Sequence, residues 1–265
     1  MSSFPHLLRA AAASALLAGL APAALADDLT VGANIGNVPW EFEDEAGETV
    51  GFEIDLVNEI ASRLGHTVTF ENIPFNGLFS AVQSGRIDMA VSSITITQER
   101  LESVSFAQPY YDSDQSLTVR SDSGITDLAG MEGKVVGVDT GSTGDMYATE
   151  RAEEAGFASI SRYEGLAPAM LDLQAGRIDG YVSDIPALQY YTRDRDDLEV
   201  VARLETGEKY SIMFAKDSPL VEEVNDTITT LKEEGYLAEL HEKWFGSTPE
   251  DTTSTVMVTD IPTLD

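Results

Sequence analysis

The chain has 265 residues, 16 basic against 46 acidic side chains, a net charge of −30 and no cysteine. So acidic a surface repels nucleic acid and anionic lipid, and the missing thiol excludes disulfides, cysteine nucleophiles and a lipidated cysteine anchor. A saline habitat, where a hydrated anionic surface keeps a protein dissolved, is the expected origin of the charge.

Residues 1–26 read as an export signal. Arg9 supplies the positive start, Leu7 to Leu25 is rich in alanine and leucine, and Ala24-Leu25-Ala26 gives a small-x-small cleavage pattern after Ala26. Pro22 interrupts the apolar run, which argues against a retained membrane helix. Leu29 to Asn34 then predicts a strand, followed by a loop holding Pro39, Trp40 and Phe42. Trp40 in so polar a loop is either core or the wall of a ligand site. Ile54, Val57, Ile60, Ala61 and Leu64 share one face of a predicted helix that Gly65 ends, and Val68 to Asn72 alternates as a strand. A helix opening near Phe75 and a strand ending at Val91 complete a β-α-β-α-β order, which requires a parallel sheet with helices on its faces.

One unit occurs twice. Gln83-Ser84-Gly85-Arg86-Ile87-Asp88-Met89-Ala90-Val91-Ser92-Ser93 returns as Gln174-Ala175-Gly176-Arg177-Ile178-Asp179-Gly180-Tyr181-Val182-Ser183-Asp184, displaced by 91 positions. Each copy follows an apolar helical stretch, so the repeat predicts two similar α/β lobes whose strands end at Ser93 and Asp184. Ligands of open α/β sheets bind beyond the carboxyl ends of strands. Beyond the first copy, Thr97 is the expected N-cap of a helix with Arg100 in its first turn, where the dipole disfavours a cation unless an anion comes to it. If the lobes face one another, Arg100 and Asp184 offer opposite charges to one small zwitterion.

Further along, Gln115 to Arg120 reads as a strand and Lys134 to Val138 as the first strand of the second lobe. Asp139-Thr140-Gly141-Ser142-Thr143-Gly144 precedes a helix and presents backbone N–H groups suited to a carboxylate; the phosphate-loop lysine is missing. Pro186 starts a helix ending near Thr192, Tyr210 to Ala215 reads as a strand returning to the first lobe, and two closing helices precede a Thr- and Pro-rich tail expected to be loosely held.

Six stretches in order, Pro39-Trp40-Glu41-Phe42, Gly51-Phe52-Glu53-Ile54-Asp55-Leu56, Thr95-Ile96-Thr97-Gln98-Glu99-Arg100, Phe106-Ala107-Gln108-Pro109-Tyr110-Tyr111, Gly141-Ser142-Thr143-Gly144 and Ser183-Asp184-Ile185-Pro186, resemble the periplasmic substrate-binding proteins of polar amino-acid ABC importers. The resemblance covers residues 29–246 and implies an α/β two-lobe periplasmic binding protein (Venus-flytrap) fold with two hinge strands, near Leu117 to Arg120 and Ser211 to Ala215. It divides the chain into lobe 1 (27–117 and 214–246), lobe 2 (118–213) and a tail (247–265). By position it assigns the ligand carboxylate to Arg100, Thr95 and the N–H groups of Ser142 and Thr143, the ammonium to Asp184 and the Ser93 carbonyl, and stacking to Phe75. Asn37 stands where the family carries an aromatic, leaving Trp40 as a substitute wall, and Asn34 where it carries an aspartate. Asp139 points to a cationic side chain such as that of arginine, lysine or ornithine. A compatible solute such as ectoine, or an enzyme on the same scaffold, is the alternative. The expected partner is a membrane permease, the expected state a periplasmic monomer without cofactor or metal.

Overall fold

The computed structural model of the chain describes residues 28–264; the expected export signal and its cleavage site lie outside them. The first lobe opens with β1 (Asp28–Ala33), a hairpin of β2 (Phe42–Glu43) and β3 (Thr49–Val50), α1 (Phe52–Leu64), β4 (Thr67–Asn72), α2 (Phe75–Gln83), β5 (Met89–Ala90), α3 (Gln98–Leu101) and β6 (Val104–Phe106). The second comprises β7 (Tyr111–Arg120), β8 (Val135–Asp139), α4 (Thr143–Arg151), β9 (Ser159–Tyr163), α5 (Leu166–Gln174), β10 (Gly180–Asp184), α6 (Ile185–Thr192) and β11 (Leu198–Tyr210). The chain returns through β12 (Met213–Ala215), and α7 (Leu220–Glu233) and α8 (Tyr236–Phe245) complete the first lobe.

Each lobe has a five-stranded sheet, ordered β4-β1-β5-β12-β6 in the first and β11-β7-β10-β8-β9 in the second. The parallel neighbours β4, β1 and β5 need helical crossovers, and α1 and α2 supply them. The sequence repeat has a physical basis on both sides. Gly85 and Gly176 take φ of 70° and 69°, a left-handed turn that glycine adopts without steric cost. Each turn drives an isoleucine under an inner strand of its sheet, β1 in the first lobe and β8 in the second. An added Cβ on Gly32 would stand 2.5 Å from Ile87 Cδ1, and one on Gly137 would stand 2.5 Å from Ile178 Cδ1. The next residue clamps the start of that strand: Thr30 N–H donates to Asp88 Oδ2 at 2.8 Å, and Val135 N–H to Asp179 Oδ2 at 2.9 Å.

Two expectations need correction. The first crossing is not at Leu117 to Arg120, because all of β7 belongs to the second sheet, paired with β10 and β11. The chain crosses between Phe106 and Tyr111 and returns between Tyr210 and Met213. Ser113, Asp114, Gln115, Ser116 and Thr118 are all buried along β7. A central strand so polar does not show the apolar run by which buried strands are read.

Nor is the tail loose. Thr255 Oγ1 donates to the Tyr110 carbonyl at 3.0 Å, Ser254 N–H to Asp112 Oδ2 at 2.7 Å, and Thr259 N–H to Gln108 Oε1 at 3.2 Å, so the tail lies along the first crossing. Lys209, at the end of β11, donates to Ser254 Oγ at 3.1 Å and brings in the second. The ammonium of Lys232, pulled down to about 7 by burial, donates to Gln108 Oε1 and to the carbonyls of Pro109 and Met257. Deleting residues 247–265 leaves this buried donor short of an acceptor. The deletion is expected to cost about 2 kcal/mol or more in urea unfolding; an unchanged midpoint would show that the tail adds nothing.

Candidate functional site

The strand ends of the two sheets face one another across a narrow cleft lined by both lobes. Asn34, Asn37, Phe75, Ser92, Ser93 and Thr95 line it from the first lobe, and Asp139, Ser142, Thr143, Leu166, Ser183 and Asp184 from the second. Asp139 and Asp184 end the neighbouring parallel strands β8 and β10, which puts two carboxylates side by side where such sheets bind ligands.

Thr97 caps α3 as expected, its Oγ1 accepting from Arg100 N–H at 3.1 Å. Arg100 is buried beside the lining residues Phe75 and Thr95 and does not itself line this cleft. Nη1 donates to the Thr95 carbonyl at 2.7 Å and Nη2 to the Gly141 carbonyl of the opposite lobe at 3.2 Å. Its Cζ lies 5.5 Å from the Phe75 ring centroid and 5.1 Å from that of Phe79, within cation–π range. Burial pulls this guanidinium down to about 10, against the opposing pull of Glu208, Asp184 and Glu99.

Asp184 Oδ2 accepts from Ser93 Oγ at 2.9 Å across the cleft, and Oδ1 from Gln115 Nε2 at 2.7 Å. Burial, then the charge of Glu208, pushes its carboxyl up to about 7. Asp139 is pushed up to about 7 chiefly by burial, with a smaller contribution from Glu164. The Tyr181 hydroxyl, buried beside it, pulls the other way, and no salt bridge reaches it among the described residues. Asn34 Nδ2 donates to the Glu164 carbonyl at 3.1 Å, a further contact between lobes, and Asn37 Nδ2 donates to Ser93 Oγ at 3.1 Å.

Three assignments change. Trp40 is fully buried and no wall of the cleft: its indole packs edge-on against Phe52, Tyr111 and Tyr210, with centroids 5.5, 4.7 and 5.4 Å away. The Ser142 N–H donates to the Asp139 carbonyl at 3.1 Å and is taken, its side chain capping α4 instead. Thr143 holds the first position of α4, where N–H groups lack an intrahelical acceptor. Thr95 lines the cleft, but its hydroxyl donates to Glu208 Oε2 at 2.7 Å.

Sequence reasoning missed the lining residues Ser92, Leu166 and Ser183, and two buried polar groups behind them, Gln115 and Glu208; Glu208 matters most. It also accepts from Thr143 Oγ1 at 3.1 Å and, through Oε1, from Gln115 Nε2 at 2.9 Å. A hydroxyl has one proton, so Glu208 claims those of both threonines and turns their lone pairs toward other groups. Its strand carries a register shift between Leu204 and Glu208, pinned where Asp114 Oδ1 accepts from the N–H groups of Thr206 and Gly207, each at 2.7 Å. In sequence, Glu205-Thr206-Gly207-Glu208-Lys209 looks like a turn. Asp114 on the facing strand was the one available hint.

The profile of the bacterial extracellular solute-binding proteins, family 3, matches residues 29–247. The chain belongs to that family. This family 3 protein is 30% identical to an arginine-binding periplasmic protein of Mannheimia haemolytica over 78% of its own length and 87% of the relative's. It is likewise 30% identical to an arginine-binding extracellular protein of Bacillus subtilis, covering 82% of this chain and 86% of that protein. Among solved structures, an ancestral arginine-binding protein bound to arginine superposes with a TM-score of 0.78 at 35% identity, over 83% of this chain and 98% of that one. The two lobes of the family 3 fold are those described above.

Proposed function

We propose that this protein is the receptor of an ABC importer for a cationic amino acid, L-arginine fitting best, and that it delivers its ligand as a periplasmic monomer to a membrane permease. The observation that carries the choice is Asp139, a buried carboxyl on the cleft wall that faces the Tyr181 hydroxyl and has no cation paired with it among the described residues. A buried unpaired carboxylate is costly, and a ligand cation removes the cost. The ligand carboxylate goes to Arg100 and the Thr143 N–H, the ammonium to Asp184 and Ser93, and the stem over Phe75; the guanidinium reaches Asp139 beside Asn34. Arg100 is one cation among Asp139, Asp184 and Glu208, so a ligand of net positive charge balances the cleft better than a neutral amino acid. The names of the relatives support the same reading, and all describe binding proteins rather than enzymes.

Because the ligand contacts both lobes, its binding favours the closed arrangement. A thermal-shift panel of L-arginine, L-lysine, L-ornithine, L-glutamine and ectoine tests the assignment. At a thousandfold excess over Kd the cationic amino acids should stabilise the fold by about 4 kcal/mol, and Asp139→Ala should erase their advantage over L-glutamine. An equal shift from L-glutamine or ectoine would overturn the cationic assignment.

The pH dependence has a definite sign. Asp139 and Asp184 must be ionised to hold a cation, and both titrate at about 7. L-Arginine binding is therefore expected to release protons near neutrality and to weaken as the pH falls through about 7. Calorimetry in two buffers of different ionisation enthalpy reads the release directly, and equal observed heats in the two buffers would contradict it.

A further inference from the structure

Two acids in the sequence motifs have no part in the site so far. Glu41 and Glu53 are both 0% exposed, the first in the loop behind Trp40 and the second in the first turn of α1. Ser92 Oγ donates to Glu41 Oε1 at 2.6 Å, and Ser93 N–H donates to Glu53 Oε1 at 2.8 Å. The Tyr110 hydroxyl donates to the same Glu53 oxygen. The remaining oxygens of the two carboxyls are buried, the carboxyls face each other, and the Asn37 amide also acts on Glu41. Among the described residues no salt bridge reaches either one. The titratable groups acting on the pair are each other and Tyr110, with Asp184 one step further through Ser93.

Two buried carboxylates in contact cannot both ionise, and a hydrogen bond between them needs a proton on one. Glu53 Oε1 already accepts two donors and Glu41 Oε1 one, which favours the charge on Glu53 and the proton on Glu41. Ser93 has φ of 44°, a left-handed conformation unfavourable to a residue with a side chain. Its N–H is fixed by Glu53 while its hydroxyl reaches Asp184.

We propose that Glu41 and Glu53 form a proton-sharing positioning pair, which holds Ser93 in its strained conformation against Asp184 and ties the cleft to the first crossing through Tyr110. Its effect on ligand affinity rests on the function proposed above; the shared proton does not. Burial raises both carboxyls, Glu41 further, in keeping with the proton's location.

Infrared spectroscopy at mildly alkaline pH reads the proton, since Asp139 and Asp184, at about 7, have ionised there. The wild-type protein should keep a protonated-carboxyl band that disappears in Glu41→Gln and survives in Asp139→Asn. No band in the wild type, or a band that Glu41→Gln leaves in place, would overturn the shared proton. The amide of Glu41→Gln can still donate to Glu53 and accept from Ser92, so L-arginine affinity should stay within about twofold of wild type. Glu53→Ala, which frees Ser93, should weaken it about tenfold or more. Equal damage from the two variants would overturn the positioning role. A wild-type protein that does not bind L-arginine would count against the proposed function alone, because the infrared result needs no ligand.

Discussion

Replacing Arg100 by alanine is expected to weaken L-arginine binding by about 3 to 5 kcal/mol, at least a hundredfold in Kd, while the protein stays folded. The size follows from burial. Arg100 is 5% exposed, and its guanidinium is held by two carbonyls, one from each lobe. Removing it leaves a ligand carboxylate facing Asp184 and Glu208 with no counter-charge. The fold tolerates the change because the arginine itself is costly to bury, as its lowered pKa shows. Calorimetric titration beside circular dichroism separates the outcomes, and wild-type affinity in a folded variant would remove Arg100 from the site.

The second large effect belongs to Asp184→Asn, which should weaken binding while making the ligand-free protein more stable. An asparagine can keep contact with Ser93 and Gln115 and gives up the charge. Losing a charge-assisted bond to the ligand ammonium costs about 2 to 3 kcal/mol, some thirtyfold to a hundredfold in Kd. Stability moves the other way. A carboxyl raised from 3.8 to about 7 in the fold holds a proton that the unfolded chain has released, so its contribution to stability falls as the pH rises through that window. Asparagine removes that loss together with the repulsion from Glu208. Thermal unfolding at alkaline pH should therefore show a higher midpoint for the variant; a lower midpoint with unchanged affinity would mean that Asp184 is structural.

How much of this was legible in the sequence depends on what kind of signal each residue left. The repeat was readable because the same packing problem is solved twice, an isoleucine under a glycine of an inner strand and an aspartate clamping that strand's start. That repeat, with the Thr97 cap, located Arg100 and Asp184. Glu208 was hidden because its burial is imposed from a distance: Asp114, on the facing strand, shapes the bulge that turns the glutamate inward. The first crossing was misplaced for a related reason, since β7 buries polar side chains that pair with its neighbours rather than packing as apolar ones. Trp40 was ambiguous from composition alone, and three of the four rings around it, Tyr111, Tyr210 and Phe245, come from distant parts of the chain. The tail looked loose because its hold is by backbone and hydroxyl hydrogen bonds to the crossing, which leave no periodic pattern.

The central claim is that the first lobe's guanidinium and the second lobe's carboxylates grip opposite ends of one cationic amino acid. Parallel calorimetric titrations with L-arginine and with agmatine, its decarboxylated analogue, test it most directly. L-Arginine should bind with a Kd near micromolar, about −8 kcal/mol, and agmatine at least a hundredfold more weakly because Arg100 has no anion to hold. Equal affinity for the two would contradict the account.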